Sequence, residues 1–171
     1  MSIVKKLHIA ATSIALALMA SCPAAAIEPI AALPKPEEVR RVTLGFYGLH
    51  IDTYAPVSVA QIVDSGCVYA TEPGSDKNRE LLAILEDGLE LTDRGPHRFR
   101  LRTVINVHLN DDSVFSLLIS DAHNLTPGVF GTVDHEVRNA QGFLRSNEAM
   151  LVALRTWARN NLEPRAQNSH C

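Results

Sequence analysis

The stretch RFRLRTVINVHL, residues 98–109, alternates between apolar and polar side chains with a period of two. Such alternation predicts a β-strand with one face on a core and the other in water, which is typical of antiparallel sheets. The side chains predicted to face the core are Phe99, Leu101, Thr103, Ile105, Val107 and Leu109. The side chains predicted to face water are Arg98, Arg100, Arg102, Asn106 and His108.

The segments on either side of this strand complete an α+β pattern. Further strands are predicted at residues 42–51, 67–71, 114–120 and 129–137, and a turn at 139–142 leads into a short strand through Phe143. Helices with capping residues and apolar stripes are predicted at residues 59–64, 76–87 and 147–160, the last capped by Ser146. This order predicts an α+β domain in which an antiparallel sheet of about five strands carries two main helices on one face.

The first 26 residues have the pattern of an export signal. Lys5 and Lys6 precede an apolar run from Ile9 to Ala20, and small residues follow it. This pattern predicts a secretory signal peptide rather than a membrane-spanning helix, which needs about 20 apolar residues. We therefore expect the mature protein outside the cytoplasm, in the periplasm of a bacterial envelope.

Two processing routes fit the end of this segment. Ala24-Ala25-Ala26 offers cleavage before Ile27, whereas residues 18–22 resemble a bacterial lipoprotein box that ends in Cys22. Cleavage at the alanines predicts a soluble periplasmic protein. Acylation of Cys22 predicts a protein tethered to the outer membrane, and the sequence leaves both routes open.

The remaining 145 residues have the length of one domain. A proline-rich lead or tether is predicted over residues 27–41, and a single domain over 42–171. The chain has 16 basic and 19 acidic side chains, and loss of the two signal lysines leaves a net charge of about −5. This acidic balance argues against general nucleic-acid binding.

The cysteines also bear on the compartment. Either processing route removes or consumes Cys22 and leaves Cys67 and Cys171. An even pair in an oxidising compartment predicts a Cys67–Cys171 disulfide, which ties the C-terminal tail to the domain. Closing a loop of about 100 residues stabilises by roughly 4 kcal/mol in the chain-entropy model. The alternative is a buried thiol at Cys67 and a frayed end at Cys171.

No motif in the sequence indicates a reaction, a cofactor or a metal. The densest group of candidate catalytic side chains is Asp134-His135-Glu136, with His108, Asp121 and His123. On a predicted strand, however, His135 points away from its two acidic neighbours, so they do not converge as a zinc site or a base–carboxylate pair requires. The sequence favours a protein without catalytic activity, with a small hydrolase or metal-dependent enzyme that uses these histidines as the alternative.

Arginines concentrate on the polar face of the strand at 98–109. Arg98, Arg100 and Arg102 form a predicted ladder about 14 Å long, at roughly 3.4 Å per residue. Arginine binds carboxylates in a bidentate manner, so we expect this ladder, with polar loops that carry Asp111 and His123, to contact a protein partner. The sequence therefore predicts an inhibitor or immunity factor that binds a toxin or envelope enzyme. A carrier of a small ligand or lipid, with an apolar pocket between sheet and helices, is a further alternative.

Overall fold

The computed structural model describes residues 28–29, 32–48, 56–92, 100–120, 129–135 and 140–165. In these ranges the helices are α1 (Val59–Ser65), α2 (Asp76–Gly88) and α3 (Glu148–Asn161). The strands are β1 (Glu28–Pro29), β2 (Val39–Phe46), β3 (Cys67–Ala70), β4 (Leu89–Thr92), β5 (Leu101–Leu109), β6 (Val114–Ser120), β7 (Val129–His135) and β8 (Ala140–Ser146). None of these helices is long and apolar enough to cross a membrane.

The strands form one sheet in the order β1-β8-β7-β6-β5-β2-β3, and β4 pairs with β8 on the side where β1 also lies. β1 pairs in parallel, and the other seven strands pair antiparallel. The α+β class and the antiparallel sheet are thus confirmed, but the sheet has more strands than the five predicted. β4 has only four residues and follows α2 directly after Gly88, so it is too short to show a period of its own. β8 begins at Ala140, inside a segment predicted as a turn.

One face of the sheet is buried under α2 and α3. Both helices begin at capping residues, because the Ser75 hydroxyl accepts from the amide of Lys77 at 3.2 Å and the Asn147 side chain accepts from the amide of Met150 at 2.8 Å. Asn147, rather than Ser146, therefore caps α3. The fully buried side chains that join these helices to the sheet include Leu44, Leu81, Leu82, Leu85, Ile105, Leu117, Leu144, Leu151 and Leu154. Burying each of them contributes about 1.5–3 kcal/mol.

α1 covers one end of the opposite face. Ile62 of α1 packs with Val57, Leu101 and Val104 in a second, smaller cluster. A Cβ at Gly45 would lie 2.8 Å from Cγ2 of Ile62, so the glycine lets α1 approach β2 closely. The remainder of this face, which runs across β2, β5, β6, β7 and β8, carries no described helix, and we call it the open face.

Two departures from the predicted strands bear on the open face. The pairing register of β5 with β6 shifts between Leu101 and Thr103. The regular alternation of side chains between the two faces of β5 is therefore interrupted at this point. β2 begins at Val39, and Pro34 is buried, so the end of the predicted lead at 27–41 belongs to the domain.

Candidate binding face

A row of five polar side chains crosses the open face, and we call it the polar row. Its members are successive Cα partners in neighbouring strands: Thr43, Asn106, Ser116, Asp134 and Gln141. Directly opposed residues in an antiparallel ladder share a face, with Cβ atoms about 4.5–5.5 Å apart. Ser116 Oγ donates to Asn106 Oδ1 at 3.0 Å, and all five residues are at least partly exposed. The polar row thus presents donors and acceptors to solvent.

His108 lies beside the polar row, two residues along β5 from Asn106. Its Nε2 is 3.2 Å from Oγ1 of Thr43 across the β2–β5 ladder. Arg41 is its Cα partner on β2, which places the two side chains next to each other. His108 therefore connects the polar row with the arginines at the start of β2.

The charges of three arginines act on His108. Arg40 and Arg41 come from β2, and Arg165 comes from the segment after α3, where its amide donates to the carbonyl of Val68 at 2.7 Å. Partial burial, and then the charges of these arginines, lower the pKa of His108 below its usual value of 6.5. His108 is therefore neutral at pH 7 while the arginines are charged. We call Arg40, Arg41, His108 and Arg165 the basic cluster.

Only part of this positive charge is neutralised within the described residues. Arg40 pairs with Asp112 at 2.5 Å, whereas Arg41 and Arg165 form no ion pair with a described carboxylate. The Nε of Arg41 is also shielded from water and has no hydrogen-bond partner in the described part of the chain. A shielded donor without an acceptor costs free energy. We call the basic cluster and the polar row together the binding face.

The predicted arginine ladder is wrong at Arg102. Its side chain is only 1% exposed, and its guanidinium lies over the ring of Tyr47, 5.6 Å from the centroid. Its Nη1 donates to the carbonyl of Leu101 at 3.1 Å. Arg102 lies on the face predicted for it, but Tyr47, which packs against the small cluster under α1, covers it there. Arg100 is partly exposed, and Arg98 lies outside the described residues.

Of the two loop residues predicted at the contact surface, Asp111 lies in the β5–β6 turn, next to the Asp112 that pairs with Arg40. Oδ1 of Asp111 accepts from the amide of Ser113 at 3.0 Å and from its hydroxyl at 2.5 Å. The following residue, Asp112, has a φ of 64°, which aspartate adopts more readily than most residues. Asp111 therefore holds the β5–β6 turn, and His123 lies outside the described residues.

The enzyme alternative gains no converging set of residues in the described ranges. Asp121, His123, Glu136 and the side chain of His135 lie outside what the structure describes. No group of three or more His, Cys, Asp or Glu side chains among the described residues is placed to hold a metal. His108 and Asp134 are the members of the predicted catalytic group whose side chains the structure describes, and both lie on the open face with β6 between their strands.

The carrier alternative requires space between the sheet and the helices. There, the described side chains of α2 and α3 pack with those of the sheet as one core. Buried interiors of this kind are close-packed and leave no room for a lipid chain.

The cysteine predictions remain open. Cys67 lies half-buried at the start of β3, and Cys22 and Cys171 lie outside the described residues. The Cys67–Cys171 disulfide and the acylation of Cys22 therefore stay predictions.

Arg40 and Arg41 are residues of the binding face that sequence reasoning missed. The proline-rich composition of residues 27–41 assigns them to a lead, although two adjacent arginines directly before an apolar strand were a usable signal. Their position opposite His108 follows from the register of β2 against β5, which joins residues far apart in the chain.

Comparison with protein-family models gives no match. Comparisons with the curated proteins and with the solved structures give none either, so no relative assigns a role to the binding face.

Proposed function

We propose that the protein is exported to the cell envelope and binds, without catalysis, an acidic surface of a protein partner, in the manner of an inhibitor or immunity factor. The binding face is the proposed contact surface. The observation that carries the proposal is the presence of two cations, Arg41 and Arg165, beside a polar sheet face and without a described carboxylate partner.

Charge complementarity argues for an acidic partner. The chain has an acidic balance, so a cluster of basic side chains does not follow from its overall composition. Opposite charges across an interface speed association and fix orientation, whereas like charges repel. An acidic partner supplies the carboxylates that Arg41 and Arg165 lack among the described residues. Arginine holds a carboxylate through two parallel hydrogen bonds.

The polar row suits a protein partner as well. Interfaces between separately folded proteins are typically wet, with about ten direct hydrogen bonds and a similar number of bridging waters. Hydroxyl and amide side chains such as Thr43, Asn106 and Gln141 both donate and accept, so they can bond to main-chain groups, side chains or water. The basic cluster would then set orientation, and the polar row would add hydrogen bonds.

The contact between Thr43 and His108 favours a second candidate, a hydrolase with Thr43 as nucleophile and His108 as base. A neutral imidazole 3.2 Å from a hydroxyl has the geometry of an activated nucleophile. Such a pair also needs a group that orients the imidazole, and no described carboxylate is hydrogen-bonded to His108. Hydrolysis of an ester substrate that is lost in Thr43→Val would favour this candidate over binding.

Matched charge variants test the binding proposal. Arg41→Gln with Arg165→Gln removes two cations from the basic cluster, and Arg79→Gln with Arg159→Gln removes two from exposed helix positions. A protein captured from envelope extract by the wild type is purified, and its affinity for the wild type and both variants is measured.

We expect the basic-cluster variant to bind about tenfold more weakly, a loss of roughly 1.4 kcal/mol, and the helix variant to bind like the wild type. Equal affinity for all three proteins would contradict the proposed contact surface. An equal loss in both variants would contradict it too, because overall charge would then be responsible.

Location in the envelope has its own test. If Cys22 is acylated, Cys22→Ala moves the protein from the membrane fraction to the soluble periplasmic fraction. A mature N-terminus at Ile27, measured by mass spectrometry, would contradict the lipid anchor and leave a soluble periplasmic protein.

A further inference from the structure

One ring nitrogen of His108 forms no hydrogen bond with a described group. Its Nε2 contacts Oγ1 of Thr43, and its Nδ1 has no hydrogen-bond partner in the described part of the chain. The ring is partly exposed, and Arg41 is its direct partner in the ladder. A carboxylate that reaches Arg41 from the solvent side therefore also comes within reach of the imidazole.

The charged groups near His108 come from several elements. Arg40 and Arg41 belong to β2, and Arg165 follows α3. On the other side of β5, the partner of His108 is the uncharged Val114 of β6. Asp112, in the turn between β5 and β6, is paired with Arg40. The charges that lower the pKa of the imidazole are all positive. An anion bound here therefore offsets them and favours the protonated imidazole.

We propose that the binding face takes up a proton when it binds: a carboxylate of the partner docks between Arg41 and His108, and the imidazole becomes a cation that donates to it. This inference rests on the proposed function. It adds the chemical group that is recognised and makes binding depend on pH.

The proton comes from solvent and stays on the imidazole. In the cation both ring nitrogens donate, Nε2–H to Oγ1 of Thr43 and Nδ1–H to the bound carboxylate. Thr43 adapts to this change because a hydroxyl rotates and accepts as well as donates. The bound carboxylate also accepts from the terminal guanidinium nitrogens of Arg41.

The direction of the pH dependence follows from the two states of His108. In the free protein, partial burial and the nearby arginines hold its pKa below 6.5. A bound carboxylate offsets the charge of Arg41 and is itself opposite in charge to the imidazolium, so it raises this pKa. Binding therefore strengthens as pH falls through the pKa of the bound state and levels off below the pKa of the free state. Each unit of difference between the two pKa values strengthens binding about tenfold.

A glutamate oligopeptide is the probe for this inference. Its side chains have a pKa of about 4.3, so it stays largely charged down to about pH 5.5. The signal of the His108 ring is followed by NMR across pH in the wild-type protein, with and without the peptide, and is assigned through the backbone resonances of the wild type. Peptide affinity is measured at about pH 7.5 and about pH 5.5 for both proteins, a range that spans the usual pKa of histidine.

We expect the peptide to raise the pKa of His108 and to bind the wild type several-fold more tightly at the lower pH, with a smaller change for His108→Gln. A peptide that binds without moving the pKa of His108 would overturn the inference and leave the proposed function standing. The same holds if His108→Gln keeps the full pH dependence. Absence of peptide binding at both pH values would overturn the proposed function and the inference with it. The titration of the wild type decides the inference even if the variant fails to fold.

Discussion

The two faces of the sheet are built from the same strands but place different demands on their side chains. On the helix-covered face, residues such as Leu44 and Ile105 are fully buried against α2 and α3, and the residues of this core are apolar. On the open face, their neighbours Thr43 and Asn106 are polar and partly exposed, and Arg41 lacks a described acceptor for its Nε. Burial accounts for the first face. It does not account for the second, and for this reason we propose the open face as the contact surface.

Substitutions on the helix-covered face should have the largest effects. Leu85→Ala or Leu154→Ala deletes a fully buried side chain and leaves a cavity, so each should lower the free energy of unfolding by about 2–5 kcal/mol. Val152→Ala on α3, where the valine is 52% exposed, is the matched control and should change it by less than about 0.5 kcal/mol. Denaturant unfolding measures all three. Small effects at both leucines would contradict the assignment of this face as the core.

Substitution of Arg102, which is buried although the sequence predicts it on the polar face, should have the next largest effect. Arg102→Ala should lower the free energy of unfolding by about 1–3 kcal/mol, because the substitution removes a buried stem, a hydrogen bond and the contact with Tyr47. Arg159→Ala, at an exposed position on α3, should change it by less than about 0.5 kcal/mol. Denaturant unfolding of both variants makes the comparison. Equal, small effects would contradict the burial of Arg102 and support the surface ladder predicted from the sequence.

Local pattern was enough to predict much of the helix-covered face. The alternation of Thr103, Ile105, Val107 and Leu109 survives in β5, and Ser75 begins α2 as its capping chemistry requires. The pattern failed where pairing between distant residues decides the outcome. Arg102 is buried because Tyr47, which follows β2, lies against it, and the position of Arg41 opposite His108 depends on β2 pairing with β5. These pairings leave no period in the sequence, and for that reason the basic cluster was not predicted.

His108 gives a smaller, pH-dependent effect in the free protein. Its pKa is lower in the folded protein than the usual 6.5 of the unfolded chain, so the unfolded chain binds more protons. The contribution of His108 to stability is therefore present above about pH 6.5 and is lost as pH falls through the folded-state pKa. His108→Gln should lose less stability than the wild type between about pH 7.5 and about pH 5.5, a range around the usual pKa of histidine. Thermal unfolding at both pH values measures this, and parallel losses would contradict it.

The exposed end of the polar row should have the smallest effect on stability. Asp134→Asn and Gln141→Ala alter solvent-exposed side chains, so each should change the free energy of unfolding by less than about 0.5 kcal/mol. Gln141→Ala should also weaken partner binding, because it removes hydrogen-bonding groups from the contact surface. Asp134→Asn should not weaken binding, because it removes a carboxylate that repels an acidic partner. A destabilisation as large as that of a core leucine would show that the open face is structural.

The central claim, that the open face is the contact surface, is tested most directly by mapping where an acidic probe binds. Backbone amide signals are recorded by NMR while a glutamate oligopeptide is added to the wild-type protein. The account predicts that the perturbed signals cluster at Arg41, Thr43, His108 and Arg165 and that those of α2 and α3 stay unchanged. Perturbations centred on the helices, with the open face unaffected, would contradict it.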